Sequence, residues 1–127
     1  MTLRVANAAR SRRFYAALGL LPARGDTPAL PMLDAGGVTL ALATDVALAG
    51  HAPALTGAGG AALVSLNVPD GASVREGHDA GCAVGGRSLR APHRPSWDGL
   101  AAWLEDPDGH PVELVWNPRM ETGATEP

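Results

Sequence analysis

The sequence predicts an α+β domain in which a strand–helix–three-strand unit occurs twice along 127 residues. Short segments of alternating apolar residues, typical of half-buried strands, are separated by turns rich in Gly and Pro. One segment in each half has the apolar spacing of a helix. A connection rich in Gly and Ala, residues 47–60, separates the halves. Two such sheets, each with a helix on one face, can enclose a cleft between their other faces.

The first unit is predicted in residues 1–46. A strand at Thr2–Ala6 precedes a helix at Ala8–Leu18, with Asn7 as its N-cap and Gly19 as its stop. The three strands that complete the unit are predicted at Leu20–Arg24, Ala29–Leu33 and Val38–Thr44.

The second unit is predicted in residues 61–118, so that a single domain spans residues 1–118 and residues 119–127 form a flexible tail. It begins with a strand at Ala62–Val68 and a helix at Ala72–Ala80 that Gly81 ends, and His78 is expected on the exposed helix face. The strand Cys82–Pro92 follows. Its two glycines, Gly85 and Gly86, suggest a bulge or a close backbone approach.

The last two strands form a hairpin around the turn Asp106–Gly109, whose Pro and Gly suit turn geometry. If the hairpin closes there, Leu104 lies opposite Val112 and Trp103 lies opposite Glu113. One face is then entirely apolar. The other face carries a single carboxylate, and it consists of Ala101, Trp103, Glu113 and Val115. A carboxylate among apolar groups is costly to bury unless it is paired or functional, so Glu113 is the main candidate residue.

Composition excludes several classes of function. The net charge is −3 and the arginines are scattered, so we expect no nucleic-acid partner. No apolar run approaches the roughly 20 residues needed to span a bilayer, so we expect no membrane partner. A single cysteine, Cys82, rules out an internal disulfide and fits a reducing compartment. We therefore expect a cytoplasmic protein.

Two motifs, about ninety residues apart, resemble those of one known superfamily. The first is the run Arg12–Leu20, which is similar to an FY-x-x-LG helix motif, and the second is the run Trp97–Leu114, which contains DPDG followed by Glu113. Together they resemble the glyoxalase / bleomycin-resistance / extradiol-dioxygenase superfamily, also called vicinal oxygen chelate. The resemblance implies two βαβββ modules around an open, barrel-like cleft, in a protein that often forms a homodimer.

The resemblance also implies where a metal would bind. Metal-dependent relatives hold a divalent ion with a His or Glu/Gln on each module's first strand and a Glu on the last strand. Glu113 matches the last position, but the first position falls ahead of Met1 and the second falls at Gly60–Leu63, where no side chain can ligate. His110 is expected to be exposed in its turn. We therefore predict no metal and no cofactor.

The favoured interpretation is a metal-free protein that binds a planar or aromatic small molecule, as relatives that sequester bleomycin-type antibiotics do. Trp103 would offer a stacking surface, Trp97 would close the mouth of the cleft, and Ala101 and Val115 would share the face with Glu113. Two structural alternatives stay open: Trp103 simply fills the core, or Glu113 pairs with Arg87 or Arg90.

Two other classes of function also stay open. One is a lyase, isomerase or dioxygenase-like enzyme of the same superfamily, with Glu113 as general base or metal ligand. The other is an interaction domain whose cleft is filled by its own side chains. The missing ligands favour binding over catalysis.

Overall fold

The computed structural model describes residues 1–48 and 63–119. Within these residues the chain forms eight strands and three helices. In chain order they are β1 (Thr2–Arg4), α1 (Ala8–Ala17), β2 (Leu21–Pro22), β3 (Met32–Asp34), β4 (Thr39–Ala43), α2 (Asp45–Leu48), β5 (Val64–Asn67), α3 (Gly71–Ala83), β6 (Arg87–His93), β7 (Leu100–Glu105) and β8 (Pro111–Trp116).

The strands form two four-stranded mixed sheets with the orders β1-β4-β3-β2 and β5-β8-β7-β6. In each sheet the first strand runs parallel to the last, and the other neighbours are antiparallel. The predicted α+β class with two βαβββ modules is confirmed, and the two sheets are not closed into a barrel. The exact limits of the domain, its modules and its tail stay predictions, because residues 49–62 and 120–127 lie outside the described part.

Both long helices begin at a capping side chain. Asn7 accepts a hydrogen bond from the Arg10 N–H at 2.9 Å, and Asp70 accepts one from the Ser73 N–H at 2.8 Å. The prediction that Gly81 ends the second helix is wrong, because α3 continues to Ala83. Gly81 is buried against β7, where an added Cβ would lie 2.7 Å from Leu104 Cδ1. This glycine therefore allows close packing of the helix on the sheet.

The strand predicted at Cys82–Pro92 starts later, at Arg87, so Gly85 and Gly86 precede it. The register shifts of β6 lie further along, between Ser88 and His93, and the predicted bulge at the glycines is wrong. The alternative of a close backbone approach is correct for Gly86, where an added Cβ would lie 2.5 Å from Phe14 Cε1. The short helix α2 was not predicted, and most strands are shorter than the patterns indicate.

A single core joins the two modules. Helices α1 and α3 contact each other, and the fully buried rings of Phe14 and Tyr15 pack edge to face with centroids 4.9 Å apart. The second sheet contributes the apolar hairpin face, whose members are all 0% exposed: Ala102, Leu104, Val112 and Leu114. Both sheets therefore cover the same helix layer, and each has another face that points away from it.

The turn between β7 and β8 connects the second module to helix α1. The buried hydroxyl of Tyr15 donates to Asp106 Oδ2 at 2.7 Å, and Asp106 Oδ1 accepts the N–H groups of Asp108 and His110, both at 2.9 Å. Asp106 is itself only 3% exposed. The sequence indicated only a turn residue here, whereas the structure shows a buried hydrogen-bond acceptor that links the modules.

Asp108 adds a second link from the same turn. Its Oδ1 accepts the Ala6 N–H at 2.9 Å and an Arg10 guanidinium hydrogen bond at 3.1 Å, and its Oδ2 accepts the Ser11 hydroxyl at 3.1 Å. The DPDG motif therefore fixes the start of α1 as well as the hairpin.

Burial, the nearby charge of Asp106 and the hydrogen bond to it raise the pKa of Tyr15 far above its usual value near 10. A raised folded-state pKa stabilises the protein fully below the unfolded pKa, and this stabilisation is lost as the pH rises above about 10. Because Tyr15 is the only tyrosine, we expect tyrosinate absorbance to appear only when the protein unfolds. A spectrophotometric titration followed in parallel by circular dichroism checks this, and tyrosinate formation in the folded protein would contradict it.

Candidate functional site

The hairpin has the predicted register. Trp103 lies opposite Glu113, and Leu104 lies opposite Val112. Because side chains alternate along a strand, Trp103 and Glu113 project from the face opposite the buried one. We call this side of both sheets, away from the helices, the open face.

Glu113 has a polar partner on the open face. Its Oε1 accepts a hydrogen bond from the Ser65 hydroxyl at 2.8 Å, and Ser65 is its direct partner on the neighbouring strand β5. The alternative that Arg87 neutralises Glu113 is not realised, since Arg87 pairs with Glu105 at 2.8 Å. Trp103 and Glu113 are both half-buried, so each keeps surface for a ligand.

The other three predicted residues differ in exposure. Ala101 and Val115, partners across the hairpin, are 2% and 7% exposed, so they form the floor of the face and offer little contact surface. Trp97 is 38% exposed in the loop before β7, with its ring against Gly99. Trp116 is half-buried and packs against the core, as expected for a residue of the opposite face.

Two histidines differ from their predicted exposure. His78 is 8% exposed and shares a hydrogen bond of 2.8 Å with the Ser88 hydroxyl, because its face of α3 packs against β6. His110 is half-buried, and its Nε2 donates to the Arg4 carbonyl at 2.9 Å. The structure places neither of them with Trp103 or Glu113.

The two modules can be superposed by register, because the pair Leu33–Leu40 corresponds to the pair Leu104–Val112. One residue further from the turn in each hairpin, and on the strand beside it, the first module has equivalents of all three polar or aromatic site residues. The equivalents of Trp103, Glu113 and Ser65 are Met32, Ala41 and Thr2, respectively. At these three positions the first module carries no charge, and only Thr2 is polar.

The two halves of the open face adjoin. A cavity of about 120 Å³ is lined by Thr2 and Leu3 of β1, by Val64 of β5, and by His110 and Pro111. Strands β1 and β5 therefore border the same cavity at the junction of the sheets.

The residues on the open face do not fit the divalent ion of the metal-dependent relatives. Beside Glu113 stands the hydroxyl of Ser65, and the equivalent positions of the first module hold Thr2 and Ala41. Hydroxyl and methyl groups replace the nitrogen and carboxylate ligands that such a site needs. Among residues 1–48 and 63–119, no group of three or more His, Cys, Asp or Glu side chains is placed to hold a metal ion.

Solved structures with the same arrangement are known. A glyoxalase-related enzyme from Fulvimarina pelagi is 29% identical, with a TM-score of 0.83, and the match covers 98% of this chain and 90% of that one. The chain has the fold of the glyoxalase/bleomycin resistance/dioxygenase superfamily. A glyoxalase/bleomycin resistance protein from Albidiferax ferrireducens T118 is 22% identical, with a TM-score of 0.72 and coverage of 92% and 95%.

A third member of the superfamily, lactoylglutathione lyase from Agrobacterium tumefaciens, is 20% identical, with a TM-score of 0.65 and coverage of 92% and 90%. No family model and no curated protein matches the sequence. The superfamily resemblance of the two motifs is thus confirmed at the level of the fold. None of the helices in the described ranges is long and apolar enough to cross a bilayer.

Proposed function

We propose that this protein binds a planar or aromatic small molecule on the open face, without a metal, between Trp103 and Glu113. The observation that carries the proposal is the cross-strand pair itself. An indole ring and a carboxylate project side by side from the face opposite the core, and both are half-buried. Such a pair can stack on a flat ring and accept a hydrogen bond from its substituent.

The free energies expected from stacking and from hydrogen bonding indicate which ligands fit the site. Stacking on Trp103 contributes about 1 kcal/mol beyond area burial. A hydrogen bond to a charged Glu113 contributes about 2 kcal/mol. Ser65 occupies only Oε1 of that carboxylate, so Oε2 has no hydrogen-bond partner among the described residues and stays available. Met32 and Ala41, the equivalent pair of the first module, are apolar and carry no charge that would compete with Glu113 for the ligand. A ligand with an aromatic body and one hydrogen-bond donor therefore fits best.

The test is calorimetric titration with matched pairs of planar aromatic compounds, one cationic and one neutral in each pair. We expect Trp103→Ala to lower the affinity for both members of a pair about fivefold. Glu113→Gln should lower the affinity for the cationic member only, because it keeps the shape of the side chain and removes its charge. Trp116→Phe, which changes a tryptophan of the opposite face, is the control. If Trp103→Ala unfolds the protein or leaves both affinities unchanged, Trp103 is not the stacking surface.

A second candidate function is catalysis with Glu113 as general base. It is favoured by the names of similar structures, a glyoxalase-related enzyme and a lactoylglutathione lyase, and by the hydrogen bond that orients the carboxylate. A base that removes a carbon-bound proton exchanges it with solvent, so mass spectrometry of ligands incubated in heavy water separates the functions. Deuterium uptake that disappears in Glu113→Gln would establish catalysis. The homodimer and the cytoplasmic location stay predictions.

A further inference from the structure

The open face of the second sheet carries a row of side chains that crosses all its strands. Trp103 of β7 and Glu113 of β8 form the centre of the row, and Ser65 of β5 extends it beyond Glu113. On the other side, Trp103 is paired with Arg90 of β6. Cross-strand partners project to the same side of a sheet, so Arg90 flanks Trp103 on the side away from Glu113.

A local irregularity of β6 places Arg90 on the open face. Ser88 faces the helices, since its hydroxyl shares a hydrogen bond of 2.8 Å with His78 of α3. Strict alternation along the strand would therefore return Arg90 to the helix side as well. Leu89 is the extra residue that shifts the register here, so that Arg90 pairs with Trp103 instead. β-Bulges re-aim side chains in this way, and they are common beside functional sites.

Arg90 and Glu113 are the two charges of this sheet that have no ion-pair partner among the described residues. The strands of the sheet carry two arginines and two glutamates, and Arg87 pairs with Glu105 at 2.8 Å. Arg90 is exposed and forms no hydrogen bond or ion pair with any described residue. The alternative in which Arg90 pairs with Glu113 is therefore not realised, and the two charges stand on either side of Trp103.

The spacing of these groups fits a ligand with a single ring. Neighbouring strands lie about 4.8 Å apart, so the backbones of Arg90 and Glu113, two strands apart, are separated by about 10 Å. A benzene ring with substituents at opposite ends spans most of this distance, and the two side chains span the rest. A guanidinium binds a carboxylate with two parallel hydrogen bonds, whereas a carboxylate such as Glu113 accepts from an ammonium group. The row therefore presents an anion-binding group, a stacking surface and a hydrogen-bond acceptor in one line.

We propose that the ligand of the open face is an aromatic zwitterion, with a carboxylate at one end of a flat ring and an ammonium group at the other. The carboxylate binds Arg90, the ring stacks on Trp103, and the ammonium group binds Glu113. This inference rests on the function proposed above and narrows it, since that function requires only the ring and the hydrogen-bond donor. Arg90 then determines specificity, because it adds affinity only for ligands that carry an anionic end.

Calorimetric titration with para-(aminomethyl)benzoate and its methyl ester tests the role of Arg90. The ester keeps the ring and the ammonium group and removes the negative charge. We expect the acid to bind about fivefold more tightly than the ester. In Arg90→Gln this difference should disappear, while the affinity for the ester stays unchanged. Arg75→Gln, the same substitution at an exposed arginine of α3, is the control and should keep the fivefold difference.

Arg90→Glu gives a second, opposite test, because it puts a negative charge where the carboxylate of the ligand binds. This variant should bind the acid more weakly than the ester. The proposal is overturned, and the function proposed above is kept, if the affinity for the ester depends on Trp103 and Glu113 but the acid binds no more tightly. It is also overturned if the preference for the acid persists in Arg90→Gln. If neither compound binds the wild type, the zwitterion and the proposed binding of an aromatic ligand with a donor both fail.

Discussion

Asp106→Ala is expected to lower the free energy of unfolding by about 3–5 kcal/mol. The substitution removes three hydrogen bonds at once, from the Tyr15 hydroxyl and from the N–H groups of Asp108 and His110. The turn amides can reach water, but the Tyr15 hydroxyl belongs to a side chain that is 0% exposed and is left without an acceptor. Urea denaturation followed by tryptophan fluorescence measures the loss.

Tyr15→Phe is the matched variant, because it removes the donor and leaves no buried group unpaired on α1. It should lower the free energy of unfolding less than Asp106→Ala does. The double variant should lower it by less than the sum of the two single variants, because residues in direct contact are coupled. Additive costs would show that the 2.7 Å contact contributes nothing to stability.

Gly99→Ala should be comparably destabilising, by about 3–5 kcal/mol, for a backbone reason. Gly99 has φ +94, which strains any residue with a Cβ, and an added Cβ would lie 2.3 Å from the Trp116 carbonyl oxygen. That oxygen belongs to the end of β8, which pairs with the start of β7 at Leu100. The clash therefore opens the end of the hairpin that carries Trp103, and thermal denaturation should show the loss.

Gly109→Ala provides the control at the other end of the same hairpin. Gly109 has φ +89, but an added Cβ would meet nothing within 4 Å. This variant carries the conformational strain alone, about 1–2 kcal/mol. Equal losses of stability for the two variants would mean that the close approach to Trp116 does not add to the destabilisation.

Local patterns were sufficient for the features that local chemistry determines. The register of the last hairpin follows from the turn Asp106–Gly109 and from strict alternation, so the Trp103–Glu113 pair was predictable. The cap at Asn7 and the stop at Gly19 were likewise readable from residue type, since each acts within a few residues of its own position.

Features that depend on distant partners were not predictable in the same way. Gly81 has the residue type of a helix stop, and only the position of Leu104 shows that it is a packing site. His78 lies among polar residues of α3, and its burial requires knowledge of where β6 runs. The hydroxyl partner of Glu113 is on β5, 48 residues away, whereas the partners considered from the sequence were Arg87 and Arg90 of β6.

The candidate site was also predictable only in part. The open face of the second module was predicted, but its apolar counterpart in the first module, Met32 and Ala41, emerges only from the paired registers.

The link between Tyr15 and Asp106 has a kinetic consequence, because the two residues are 91 positions apart. Closing so long a loop carries an entropic cost that must be met before the contact can stabilise anything. We therefore expect the link to form late, after local hairpins and helices have assembled, and to contribute little to the folding transition state. Interactions of this kind act mainly on the rate of unfolding. We thus expect the acidic turn to affect the lifetime of the native protein more than the rate of folding.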